Sequence, residues 1–340
     1  MTANRKPAER RLCWSLAAAM AALAMPAPAA ALSKMASTVL CADLPAANAE
    51  AEAGKRALVE AEALFAARAD QTKAEAGLDA YEKALASDPG NVAVRIKAAR
   101  LYYLVADGYL RFAGEAREPA MIAGFERGMA HAAAALAVTS PVLKRKICAG
   151  APMADVVASL DERAVEPIYW FCTHMGKYGL AKDLLEVLSN KDLIFAVMSK
   201  LQTLKPDYFH FAPDRYLGGY YTKVPFPDGD LARSFAHFSA SIKGAPNYLA
   251  TYNLMAEMYV IRAVNKVDPR ARVCAIGAKT IAEGAPAPTV HPCRTLFESL
   301  LNTVKNAKPD VLPDLLPELA IEKRKAEALL KDVDTYFPAP

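Results

Sequence analysis

Gly77, Tyr81, Ala84 and Pro89 are separated by four, three and five positions, and this spacing constrains the chain more than any other local feature. The first three sit at helical intervals, where side chains three and four apart share a face. Pro89, following Asp88, ends that helix. Leu64, thirteen residues before Gly77, stands where a preceding helix needs a large apolar side chain. A helix pair of this kind cannot bury its apolar face alone and must stack on similar pairs. Ala99 and Tyr102 continue the pattern in phase, whereas Phe65 stands where a small residue is usual and Arg68 where an aromatic is usual.

The spacing resembles the second helix of a tetratricopeptide repeat, in degenerate form. It predicts an all-α chain of stacked antiparallel helix pairs, an α-solenoid, as a single domain over residues 51–337. Turn signals mark the joints. Asp70-Gln71 divides a first pair, and Ser87-Asp88-Pro89-Gly90-Asn91 closes it. Helices are predicted over 92–112 and 120–138, then one short helix within 142–165 and one centred on Tyr169-Trp170-Phe171. Further helices are expected at 180–188, 193–204, 213–221, 230–242 and 247–264. The last is marked by Asp314 as a cap and Pro317 in its first turn. Leu319, Ala326, Leu330, Val333 and Phe337 follow down one face, so it should close the solenoid as a capping helix. No stretch alternates with period two, and no sheet is expected.

The N-terminus has the organisation of a secretory signal peptide over residues 1–31. Arg5, Lys6, Arg10 and Arg11 precede an apolar run at 12–24, and small residues and prolines at 25–31 offer a cleavage site. The chain is therefore expected to be periplasmic, with 32–50 as a flexible linker. The net charge of +4 shrinks to about +1 once the leader's four basic and one acidic residues are removed. Neither nucleic acid nor an anionic membrane is implied. Val39-Leu40-Cys41 looks like the end of a lipoprotein signal, with Cys41 as the acylated residue. Leu40 is large where a small residue is normal.

Export permits disulfides. Cys274 and Cys293 flank a proline-rich linker and are the expected pair; Cys148 and Cys172 are a second candidate pair, although each sits in an apolar helical context that suits a buried free thiol. No zinc spacing of Cys and His occurs, and none of His131, His174, His210, His237 and His291 pairs with another at the i, i+4 spacing of a helical metal site. No metal or cofactor is expected. Cys172 and His174, two apart on a helix, point in different directions and do not make a nucleophile and base. No glycine-rich phosphate loop is present. The chain is not read as an enzyme.

Twelve aromatics fall between Tyr208 and Tyr259, a density well above the chain's 8%. Ordinary repeat packing explains such a cluster. So does an apolar groove or channel rimmed by tyrosine hydroxyls, for which Tyr216, Tyr220, Tyr221 and Phe226 are the candidate lining residues. Arg215, Lys223 and Arg233 lie nearby. They could meet a carboxylate, but solvated positions are the plainer expectation.

The C-terminal half resembles a known family. Leu204-Lys205-Pro206-Asp207-Tyr208, then Leu217-Gly218-Gly219-Tyr220-Tyr221, then Leu254-Met255-Ala256-Glu257-Met258-Tyr259 follow its order and spacing. So does the closing stretch from Ala320-Ile321-Glu322-Lys323-Arg324-Lys325-Ala326 to Asp334-Thr335-Tyr336-Phe337. The family is TatT, the tetratricopeptide-like component associated with TRAP (tripartite ATP-independent periplasmic) transporters. The resemblance implies an exported protein, often a lipoprotein, with a pore through each protomer of a homotrimer. It implies a TRAP solute-binding protein as partner and a small hydrophobic or amphipathic molecule as ligand. The alternative is a periplasmic repeat scaffold that recognises a protein segment in envelope assembly, with a concave groove lined by Asn, Lys and Arg.

Overall fold

The computed structural model describes residues 32–48, 50–225, 228–266, 292–308 and 312–337. All regular structure among them is helical. Helices α2 (Ala51–Ala66) and α3 (Gln71–Ser87) form the first antiparallel pair, followed by α4 (Val92–Tyr103) and α5 (Glu118–Thr139). Short helices α6 (Pro141–Cys148) and α7 (Met153–Ala158) lead to α8 (Glu162–Lys182) and α9 (Leu184–Leu204), then α10 (Tyr208–Lys223) and α11 (Leu231–Gly244). The chain finishes with α12 (Ala250–Leu254), α13 (Ile261–Lys266), α14 (Pro292–Lys305), α15 (Leu316–Lys331) and α16 (Val333–Tyr336). Asp70, Asn91, Asp161, Asp183 and Asp230 cap α3, α4, α8, α9 and α11 with side-chain hydrogen bonds. These caps satisfy amide donors that each helix start would otherwise leave unpaired.

The repeat signature packs as its spacing requires. A side chain at Gly77 would meet Leu101 at 3.0 Å and Leu64 at 3.3 Å, and Tyr81 is fully buried between the same helices. The two departures from the pattern serve a different contact. Arg68 lies over the Phe65 ring at 4.4 Å and donates to both carboxylate oxygens of Glu318 at 3.0 Å. Glu318 lies on α15, 250 positions away, so the last long helix does more than cap its neighbours α12 and α14. It returns to the first pair. Ile321 is buried in the core of α2–α4, and Arg324 donates to the Gly108 carbonyl. The stack is thereby closed on itself.

Several boundaries differ from expectation. Residues 34–41, expected within a flexible linker, form a helix, α1 (Lys34–Cys41), with Ala36 and Leu40 fully buried. The segments at 180–188 and 193–204 are not a pair: Leu180 lies in the last turn of α8, and α9 runs unbroken from Leu184 to Leu204. The 142–165 stretch holds two short helices instead of one. Leu315, not Asp314, precedes α15, because a 3-10 turn Pro313–Leu315 comes first.

Two longer departures from α geometry carry more weight. Leu104–Tyr109 and Met255–Val260 are π-helical, a geometry often found at functional sites. Arg111 bridges them, forming ion pairs with Asp107 of the first and Glu257 of the second. At the start of α10, Phe209, His210 and Phe211 all have positive φ, at 43°, 60° and 56°. Each such residue costs about 1–2 kcal/mol. The buried Arg215 guanidinium holds this left-handed turn by donating to the His210 and Phe209 carbonyls at 2.9 and 3.2 Å, and it stacks on Tyr248 at 4.4 Å.

The second candidate pair, Cys148 with Cys172, is not formed. Cys41 and Cys148 form a disulfide across 107 positions. Cys172 is a buried free thiol. Cys293 is buried and disulfide-bonded; Cys274 lies outside the described residues. No described helix is long and apolar enough to cross a membrane.

Candidate functional site

A cleft with a mainly apolar wall lies between α8, α9 and α10, with Tyr103, Leu254 and Met258 also lining it. It is close to solvent at the α8–α9 turn, where Leu180 is 43% exposed. Glycines make the space. A side chain at Gly176 would meet the Tyr216 hydroxyl at 2.0 Å, and one at Gly219 would meet the Met258 sulfur at 3.0 Å. Leu180, Val187, Ile194 and Val224 supply aliphatic wall.

Of the four predicted lining residues, the structure brings two into this cleft, Tyr216 and Tyr220. The Tyr216 hydroxyl donates to the Cys172 carbonyl at 2.8 Å, which fixes its ring edge as wall. Tyr220 is half-buried, its phenol pushed up to about 12 by burial. Tyr221 points elsewhere: it is buried, stacks on His237 with ring centres 5.6 Å apart, and does not line the cleft. Phe226 lies outside the described residues.

The polar groups of the cleft were not legible as such. Lys177, Lys191, Arg215 and Lys223 line it, and no Asp or Glu does. Lys177 is paired with Asp107 at 2.6 Å, and Lys191 with Asp192 and Asp228 at 3.0 and 2.8 Å. Arg215 directs two donors to the left-handed turn and a third, at 3.5 Å, to the Tyr169 hydroxyl. Lys223 has no hydrogen bond or ion pair among the described residues. It keeps solvent access at the mouth, yet the surrounding protein lowers its pKa; Glu257 opposes this, while Arg262, Lys177 and Arg111 add to it. Arg233, by contrast, is solvated, with its side chain 66% exposed. Deeper in, Thr173 is buried and lines the cleft, and its hydroxyl has no partner among the described residues. A buried hydroxyl without a hydrogen bond is costly unless something binds to it.

The cavity holds about 110 Å³, smaller than the roughly 150 Å³ that accommodates a benzene ring. A second, smaller cavity of about 50 Å³ lies beyond Tyr248, lined by Leu104, Ile321 and Lys325. The stacked Arg215 and Tyr248 stand between the two.

Cys172 and His174 do not form a reactive pair. Both are fully buried, and burial pushes the Cys172 thiol far above its usual value. His174 donates through Nε2 to the Ala99 carbonyl at 2.9 Å, while Nδ1 has no partner. Burial depresses its pKa to about 3, with the Ala99 bond only partly opposing. A histidine that is neutral in the folded state and protonated when unfolded gives stability that is complete above its unfolded pKa, about 6.5, and lost as pH falls toward 3. We predict an acid slope of about 1.4 kcal/mol per pH unit from this residue between those limits. Denaturant titrations of the wild type and His174→Gln at pH 7, 6, 5 and 4 test it. Equal slopes in the two proteins would assign the acid sensitivity elsewhere.

Among the described residues, no group of His, Cys, Asp and Glu is arranged to hold a metal. No curated protein matches the chain. The model of the TRAP transporter T-component family matches residues 71–268, from the start of α3 past the end of α13, and so includes every residue that lines the cleft. That is more than half of the 340 residues, and the chain belongs to the TRAP transporter T-component family.

Proposed function

We propose that this protein is the periplasmic binding and adaptor component of a TRAP uptake system, and that it shelters an amphipathic solute with an anionic head in the α8–α10 cleft. The cleft itself carries the reading: an aromatic and aliphatic wall, an unpartnered buried hydroxyl at Thr173 and a cationic lining without a carboxylate. An anionic head would accept from Thr173 and meet the unpaired Lys223 ammonium, a charge-assisted contact stronger than a neutral one. The apolar part gains about 25 cal/mol for each Å² taken from water. No bond is made or broken; the protein sequesters the solute and exchanges it with a TRAP solute-binding protein. Leu184 and Leu185, 60% and 74% exposed on the first turn of α9, lie next to the mouth and support a partner that covers it. The assembly is expected to be a homotrimer, which light scattering measures directly.

The experiment is co-purification with the candidate solute-binding protein, followed by native mass spectrometry of the complex. Separate elution at micromolar concentration, with no bound small molecule in either fraction, would remove the support for this function.

Thr173→Val gives a sharper test of the cleft. Valine keeps the volume and removes the unpartnered hydroxyl, so the empty protein should gain about 1 kcal/mol of stability. Solute affinity should fall by about tenfold, the loss of one hydrogen bond to a charged group. A hydroxyl with no part in binding would leave affinity unchanged. Lys223→Gln should weaken binding comparably while leaving stability within about 0.5 kcal/mol, as for a surface substitution.

A further inference from the structure

We infer that the mature protein begins no later than Leu32, keeps α1 as part of its folded core, and uses Cys41 as half of a structural disulfide, so that no lipid is attached there. The inference rests on the export proposed above. The sequence offers two processing points: the small residues at 25–31, and the position just before Cys41 that acylation of that cysteine would require.

Cleavage before Cys41 would remove a helix that is built into the protein. Ala36 and Leu40 are fully buried, in one cluster with Leu136 and Leu143. Ser33 caps the helix, its hydroxyl accepting from the Ala36 amide at 3.1 Å. The same residue is tied to α9 by two further bonds. Its amide donates to Asn190 Oδ1 at 3.0 Å, and Asn190 Nδ2 donates to its hydroxyl at 3.1 Å. Asn190 is 1% exposed. Loss of residues 33–40 would open the core and leave the Asn190 carbonyl oxygen buried without its donor.

The sulfur is also committed. A thioether to lipid and a disulfide to Cys148 need the same Cys41 atom, and the disulfide is formed. Its formation removes two protons and two electrons from the two thiols. A disulfide donor of the export compartment accepts them and leaves as two thiols. Beyond Cys41 the arm at 42–48 does not lead away from the body. It lines a cavity of about 440 Å³ over Glu82, Arg95 and His131. Lys144 donates to the Ala42 carbonyl at one end, and at the other the Asn48 amide donates to the Ala86 carbonyl at 2.8 Å and Ser87 to Asn48 Oδ1 at 2.9 Å. Both ends of the segment that would carry a membrane tether are thus fastened to the domain.

The test is expression of the full chain with its leader in a bacterial host with a periplasm. Soluble periplasmic and membrane fractions are separated, and intact and non-reduced peptide masses are measured. The expected result is a soluble chain whose first residue falls between 26 and 32, with no acyl mass. A peptide containing Cys41 should remain joined to one containing Cys148 until reduction. A chain starting at Cys41 with the mass of a diacylglycerol would overturn the inference, as would Cys41 alkylated in full without reduction. Cys41→Ser should keep the same first residue and stay in the soluble fraction; a move from membrane to soluble fraction on this substitution would show a lipid anchor. Retention of the whole leader in the cytoplasm would end both this inference and the export reading, whereas an acylated exported chain would end this inference alone.

Discussion

Replacing Asp107 by alanine will destabilise the domain by about 3–5 kcal/mol, the cost of removing one partner from a buried ion pair. Asp107 lies in the first π segment with its side chain 5% exposed, and three cations converge on it. Lys177 is at 2.6 Å and Arg111 at 3.7 Å, and Lys325 donates to its other oxygen. Burial alone would raise its pKa; the lysines and Arg111 overturn that and hold the carboxyl well below the usual range. The sign follows. A carboxylate with a depressed folded pKa contributes stability that is complete above its unfolded value, near 3.9, and is lost as pH falls below it. The deficit of Asp107→Ala, measured as the urea midpoint at constant slope, should be full at pH 7 and shrink below about pH 4. The double variant Asp107→Ala, Lys325→Met should recover part of the loss, because one stranded ammonium is gone. A single-variant loss under about 1 kcal/mol would show that water reaches these charges and that the network does not hold the ring together.

This network explains why part of the fold could be read from sequence and part could not. Local signals mark the helix pairs: Gly77 facing Leu64, the Asp70-Gln71 break and the Pro89 stop all act within a few turns. The closure of the stack depends on Arg68 meeting Glu318, 250 positions away, and on Lys325 meeting Asp107. Nothing local marks such pairs. Arg68 and Phe65 read as departures from the repeat pattern, when in fact they are the contact surface for α15. Helix α1 carries little signal in the sequence because it is only eight residues long, and its burial comes from α5 and α6 packing over it.

The cleft divides in the same way. Aromatic density pointed to α10, and Tyr216 and Tyr220 do line the wall. Tyr221, one position on, turns away because adjacent residues on a helix face different sides. The cations were judged by type, and charged side chains are usually solvated. That rule held for Arg233 and failed for Arg215, which is buried because the left-handed turn before it needs donors for its carbonyls. Three residues with positive φ and no glycine among them could not be expected from sequence. Thr173 carries no sequence signal at all; its importance lies only in having no partner.

The second large effect concerns the N-terminal clasp. Cys148→Ser should cost about 4 kcal/mol, since a cross-link closing a loop of roughly 100 residues removes about that much unfolded-state entropy at 25 °C. For a domain of this size, the melting temperature should drop by roughly 6 °C. The loss has a local part. Without the bond, α1 is held to the body only by its buried face and the Ser33–Asn190 bonds, so it becomes the element most easily released. Hydrogen exchange should therefore show amides 36–41 losing protection before those of α5 and α8, whereas in the oxidised wild type they should open with the core. Reduction of the wild type should lower the melting temperature at least as far as Cys148→Ser, because it breaks this bond together with the one that holds Cys293. If the substitution lowers the melting temperature by less than about 1 °C, the unfolded chain is not restrained by this cross-link, and the buried face of α1 alone holds it in place.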